Sequence, residues 1–143
     1  MRMANKAGID LIKEFEGLRL EAYQCSAHLW TIGYGHTKGV YKGQKITKEQ
    51  AEAFLLDDLQ VAQNAIDRLV KVPLNENEYA ALVCFVFNVG VGNFYGSTLL
   101  KLLNRGFYDQ VPMQLMRWNK VNGEVNGGLS RRRYAEAKLW NTR

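Results

Sequence analysis

Residues Phe15 to Thr37 read FEGLRLEAYQCSAHLWTIGYGHT, a stretch that starts in one kind of secondary structure and ends in another. Upstream, Asn5 can cap a helix whose apolar residues Ile9, Ile12 and Phe15 recur at a spacing of three, and Gly17 can stop that helix in a left-handed conformation. Glu16 then falls on the last helical turn. From Leu18 to about Thr47 the pattern changes to short runs of Tyr, Trp, Thr and Ile broken by Gly33, Gly35, Gly39 and Gly43. That texture predicts a small antiparallel sheet with tight turns.

Beyond the sheet, TKEQ is a capping box, with Thr47 as N-cap and Gln50 three residues on. Ala51, Phe54, Leu55, Leu59, Ala62, Ile66 and Leu69 continue a helical stripe to about Val70, roughly 34 Å of helix and enough to join two lobes. After Pro73, Asn75 and Glu78 form a second capping pair, and YAALVCFVFNVG is apolar almost all round, as a buried central helix ending near Gly90 must be. Three further helices are expected: Ser97 to Arg105 with Gly106 as stop, about Tyr108 to Trp118, and about Ser130 to Trp140. Pro112 sits inside the second, which should therefore start late or kink. NGEVNGG, Asn122 to Gly128, reads as a turn-rich loop.

The chain has 143 residues, 47% of them hydrophobic, which suffices for one domain with a real core. No run approaches the roughly 20 apolar residues needed to span a bilayer, and MRMANKAGID lacks the apolar stretch of a secretion signal, so a soluble protein of cytoplasmic origin is expected. Cys25 and Cys84 are expected to be reduced thiols. The net charge of +5 favours polyanionic partners, among which nucleic acid, anionic lipid and an acidic cell wall are not separated by charge alone. The densest basic run, SRRRYAEAK, reads first as a solvated helix face.

A glutamate at a helix end is usually a surface residue. Here it belongs to an ordered set: Glu16, eight residues, Cys25, five residues, Thr31, then IGYGH. With EGLRLEAY, WTIGYGHT, ITKEQAE, PLNENEYAALVCFVFNVG and GLSRRRYAE, this set resembles the phage-type lysozymes, glycoside hydrolase family 24, over nearly the whole chain. The resemblance implies an α+β, mainly helical lysozyme-like fold. A small antiparallel β lobe (about 17–47) would be joined by a long helix (about 48–70) to a helical lobe (about 71–143, with the N-terminal helix), and the active-site cleft would lie between the lobes of a single domain.

The resemblance further implies that Glu16 protonates the glycosidic oxygen between N-acetylmuramic acid and N-acetylglucosamine, that the second catalytic position falls on Cys25, and that Thr31 holds the attacking water. Family members commonly carry aspartate at the second position. Glycoside cleavage needs an acid for the leaving group and a group that stabilises or captures the developing oxocarbenium ion. A thiolate can do the latter and a neutral thiol does it poorly. Trp30 and Tyr34 are candidates for the apolar surroundings that keep such an acid protonated, and Cys25 is alternatively a small wall residue beside Thr31 and water.

Thr37, Phe87, Asn88 and Ser97 match substrate-side positions of the family, His36 is expected to brace the β lobe, and one of Arg131, Arg132 and Arg133, whose register is ambiguous by one and of which Arg132 is the middle choice, to reach the acid. His28 departs from the glycine of many relatives. Cys25, His28 and His36 lack a fourth ligand and zinc-site spacing, so neither a metal nor any cofactor is expected. The implied activity is that of an endolysin: a monomeric, bacteriolytic muramidase that acts on peptidoglycan, binds no nucleic acid, has no membrane anchor, and stays in the host cytoplasm until a separate membrane hole releases it. The competing readings are a basic cell-wall or nucleic-acid binding module without turnover, and membrane disruption by an amphipathic helix.

Overall fold

The computed structural model describes residues 2–143. Helix α1 (Lys6–Glu16) starts where the Asn5 side chain accepts the Gly8 amide and ends where the amide of Gly17, at φ 71°, donates to the Lys13 carbonyl. Its Gly8 lies so close to Ala80 that an added Cβ would stand 2.7 Å from the alanine methyl, and this absence of a side chain lets α1 lie on the central helix.

Strands β1 (Arg19–Gln24) and β2 (Trp30–Gly33) pair antiparallel. The free edge of β1 is covered by the segment ending at Ile46: Ala22 donates to Gln44, Ile46 donates to Leu20, and Glu21 bridges Lys45. The sheet and this edge make a small lobe.

Helix α2 (Lys48–Leu69) begins at the Thr47–Gln50 capping box and runs 22 residues, about 33 Å. Ala51, Leu55, Leu59, Ala62 and Ile66 form its buried stripe. Helix α3 (Glu76–Val89), capped by Asn75 and Glu78, is buried continuously from Tyr79 to Val86 and forms the middle of the core. Both cysteines are free thiols, and Cys84 lies within this buried run.

The chain then departs from the expected pattern. A short helix α4 (Val91–Tyr95) precedes α5 (Thr98–Asn104), whose N-cap is Ser97. The helix expected from Tyr108 to Trp118 starts late, as Pro112 implied: a 3₁₀ turn (Tyr108–Gln110) precedes α6 (Val111–Met116), with Pro112 in the first turn, where its missing N–H costs no helical hydrogen bond. The expected loop at Asn122 is a hairpin of β3 (Lys120–Val121) and β4 (Glu124–Val125), turning through Asn122 and Gly123 at positive φ. Both strands are exposed, so no in–out alternation marked them in the sequence. Helix α7 (Gly127–Trp140) consequently starts three residues earlier than expected, with Asn126 accepting from the Leu129 amide. It packs on α3 and α6, which brings its arginines to the end of α1.

Candidate active site

Glu16, at the end of α1, stands between Gly35 of the small lobe and Arg132 of α7. Its Oε2 accepts a 2.7 Å hydrogen bond from Nη1 of Arg132 on α7. Its Oε1 faces Gly35, just past β2, where an added Cβ would be only 2.5 Å away. Cavities open on both sides of the carboxyl. One, of about 400 Å³, is lined by Gly35, Thr37, Asp58, Phe87 and Asn88. The other, of about 390 Å³, is lined by Phe15, Asn88, Asn126, Leu129 and Arg132. Space on both sides of an acid is what a polymer cleaved in mid-chain requires.

Arg132 is almost wholly buried and also donates to the Cys84 carbonyl at 3.2 Å. Its neighbour Arg133, fully buried, donates to the Asn88 side chain at 2.8 Å, and both guanidiniums contact the buried carboxylate of Glu136, Arg133 at 2.7 Å and Arg132 at 3.4 Å. Removing charge from water in such a place requires partners, and the alternation of two cations with two carboxylates supplies them. Arg131 points out to solvent. Arg132, the arginine expected to reach the acid, does so, while the reading of the run as a solvated face is corrected: two adjacent arginines are buried. Arg132 is held to the acid, and Arg133 to Asn88 and Glu136. The i,i+3 and i,i+4 spacing of Arg133 and Arg132 to Glu136 was a legible sign that the solvated-face reading of the whole run was too simple.

On the sheet side, Cys25 opens the turn between β1 and β2. Its amide donates to the Leu29 carbonyl at 3.0 Å and its carbonyl accepts from His28 at 2.8 Å. His28 takes φ 63°, the left-handed conformation that glycine adopts without strain. Hydrogen bonds from the backbone at Ala27 and Leu29, then from the Thr31 hydroxyl, hold the Cys25 thiol below its ordinary pKa and favour the thiolate. Thr31 is buried, and its hydroxyl also lies 3.1 Å from the Leu29 carbonyl. Neither Cys25 nor Thr31 lines the two cavities around Glu16; they belong to the strand pair that leads to Gly35.

His36 is buried, stacks on Phe54 at 4.4 Å between ring centroids, and lies 2.8 Å from Asp58 through Nδ1, so it ties the small lobe to α2. Asp58 and Gly35 escaped the sequence reading. Asp58 lies among charged residues on α2, and Gly35 resembled any turn glycine. Asn88 is exposed at the cleft and Phe87 half-buried beside it. Ser97 lies elsewhere: its hydroxyl donates to the Phe94 carbonyl at 2.7 Å and accepts the Leu100 amide, capping α5 beside a separate cavity with Gln114 and Trp118. Tyr34 does not face the acid; its hydroxyl reaches Glu52, which also binds Lys13. Trp30 is half-buried on β2.

A helix-borne acid set between a small sheet and a helical lobe, with open cleft on each side, defines a lysozyme-type site. The family model described as phage lysozyme matches residues 13–136, and the chain belongs to that family. It is 46% identical, over 95% of this chain and 96% of the relative, to an endolysin of Acyrthosiphon pisum secondary endosymbiont phage 1. It is 39% identical to an endolysin of Salmonella phage P22, over 96% and 97% of the two chains. Among solved structures, the muramidase domain of SpmX from Asticaccaulis excentricus superposes with a TM-score of 0.93 at 38% identity, covering both chains completely. The protein is accordingly a lysozyme-type glycoside hydrolase acting on peptidoglycan.

Proposed function

We propose that Glu16 is the general acid that cuts the β-1,4 bond between N-acetylmuramic acid and N-acetylglucosamine. The observation that carries this reading is the position of its carboxyl between Gly35 and Arg132, with an open cavity on either side. A bound glycan fills that space and brings a glycosidic oxygen to the carboxyl. The proton passes to the glycosidic oxygen as the bond to the anomeric carbon breaks, and positive charge develops on the muramic acid ring. Arg132 fixes the orientation of the carboxyl, and its charge is shared with Glu136.

Cys25 as thiolate stabilises or captures that charge, and Thr31, whose hydroxyl donates to the Leu29 carbonyl, keeps lone pairs free to orient a water molecule. Thr37, Phe87 and Asn88 bind saccharide along the cleft, and His36 holds the small lobe in place through Asp58. The protein would act as a monomer, without a cofactor, on the wall and not on nucleic acid. Among the described residues no helix is long and apolar enough to cross a membrane, and we propose storage in the host cytoplasm until a separate membrane hole gives access to the wall, with lysis as the outcome.

The test is loss of turbidity of outer-membrane-permeabilised Gram-negative cells. Glu16→Gln keeps the shape and the contact with Arg132 but has no proton to deliver, so clearing should fall by about 10²- to 10⁴-fold with the circular dichroism spectrum unchanged. Retention of more than about a tenth of the activity would reject the assignment of the general acid to Glu16.

A further inference from the structure

The charge of this protein is concentrated in one part of it. Between Gly17 and Lys48 stand five cations, Arg19, Lys38, Lys42, Lys45 and Lys48, against Glu21 alone. The rest of the chain holds fourteen basic and thirteen acidic residues, so +4 of the net +5 belongs to the small lobe and the first turn of α2. All five cations are exposed. Among the described residues none of them is in an ion pair, and Arg19 rests over the Tyr23 ring at 4.6 Å. Elsewhere Arg132 and Arg133 pair with Glu16 and Glu136, Lys13 with Glu52, Arg2 with Glu76 and Lys6 with Asp10, and the other nine cations, though in no ion pair, are nearly balanced by carboxylates of the same part of the chain, so the excess of charge is what sets the small lobe apart. Glu21 sits opposite Lys45 in the sheet and offsets one charge at most.

We infer that this lobe is an electrostatic anchor for the carboxylates of the peptidoglycan stem peptides, separate from the cleft that cuts the glycan. The inference rests on the peptidoglycan-hydrolase reading. A wall strand carries carboxylates at every muramic acid, so it presents a regular polyanion alongside the neutral sugar backbone. A lobe with unpaired cations on flexible side chains binds such an array without demanding one register, and raises the local concentration of cleavable bonds at the adjoining cleft. Lys38, next to Thr37 on the cleft wall, marks where anchor and cleft meet. Tyr41, exposed beside Lys42, adds a flat apolar face to the same edge.

The experiment compares two variants of equal net charge. In one, Lys42→Gln, Lys45→Gln and Lys48→Gln remove three of the five cations and lower the lobe from +4 to +1. In the other, Lys101→Gln, Arg105→Gln and Lys138→Gln neutralise exposed positions of the helical lobe. On purified sacculi at low ionic strength the first variant should raise KM about tenfold with kcat unchanged, and the second should change KM less than about twofold. Salt near 0.5 M, where screening is about complete over these distances, should erase the difference. Sacculi whose stem-peptide carboxylates are amidated should bind wild type and the first variant equally. Equal effects from the two variants, a persisting difference on amidated sacculi, or stronger retention of wild type by anionic phospholipid vesicles or duplex DNA than by sacculi would each overturn the anchor. A wild type that cleaves no sacculi fails the enzymatic reading instead.

Discussion

Gly35 and the carboxyl of Glu16 are in such close approach that a single added methyl group would overlap Oε1 at 2.5 Å, and Gly35 holds a positive φ of 77° besides. Gly35→Ala should therefore strain the turn by about 1 kcal/mol or more and push the carboxyl off its position. Because a displacement near 1 Å at a reacting group costs on the order of 10²-fold, activity on cells should fall far more than thermal stability. Parallel measurement of melting temperature and clearing rate checks this; equal, small losses in both would sink it.

The three consecutive arginines should behave unequally. Arg133→Ala removes the closest partner of a fully buried carboxylate, Glu136, and should destabilise by about 3–5 kcal/mol in denaturant titration. Arg132→Ala should cost stability and also lower turnover, since it removes the hydrogen bond that orients the Glu16 carboxyl. Arg131→Ala, exposed, should stay within about 0.5 kcal/mol of wild type.

At Cys25 the lowered thiol pKa, set by backbone hydrogen bonds at Ala27 and Leu29 and by Thr31, predicts iodoacetamide alkylation with a midpoint below that of an ordinary cysteine. If the thiolate takes part, Cys25→Ser should cost at least about 100-fold in turnover, and Cys25→Asp, charged at neutral pH without help, should retain or raise it. Near-normal turnover by the serine variant would reduce Cys25 to a wall residue and leave Glu16 untouched.

Glu52 joins α2 to α1 through Lys13 at 2.7 Å and to Tyr34 through its hydroxyl. Its carboxyl is held below the usual 4.5, chiefly by the Lys13 hydrogen bond. The unfolded chain therefore binds the proton more readily than the folded one, so the stabilisation is full above about pH 4.5 and disappears as pH falls through the lower folded value. Glu52→Gln should be less stable than wild type at pH 7, and the difference should shrink as the pH is lowered below 4.5, as measured by urea unfolding across that range. A difference that persists unchanged in acid would assign the effect to packing.

The local sequence determined the parts whose hydrogen bonds close within a few residues: the Asn5 cap, the Thr47–Gln50 and Asn75–Glu78 boxes, the glycine stops at Gly17 and Gly90, and hence the position of Glu16 at a helix end. These bonds join residues three or four positions apart, so the chain itself carries both partners. The motif around Glu16, Cys25 and Thr31 likewise stood in one stretch of the sequence. Other features depend on how elements cross. Whether Arg132 or Arg133 reaches Glu16, 116 positions or more away, depends on the rotation of α7 against α3, and a helix turns 100° per residue. The contact of Gly35 with the acid, the bond of His36 to Asp58, the burial of Glu136 and the removal of Ser97 from the cleft all follow from such crossings. The hairpin at Asn122 escaped for the opposite reason: exposed on both faces, it buries nothing that would leave a period in the sequence. Only tertiary packing, which places each group in water or out of it, decided those.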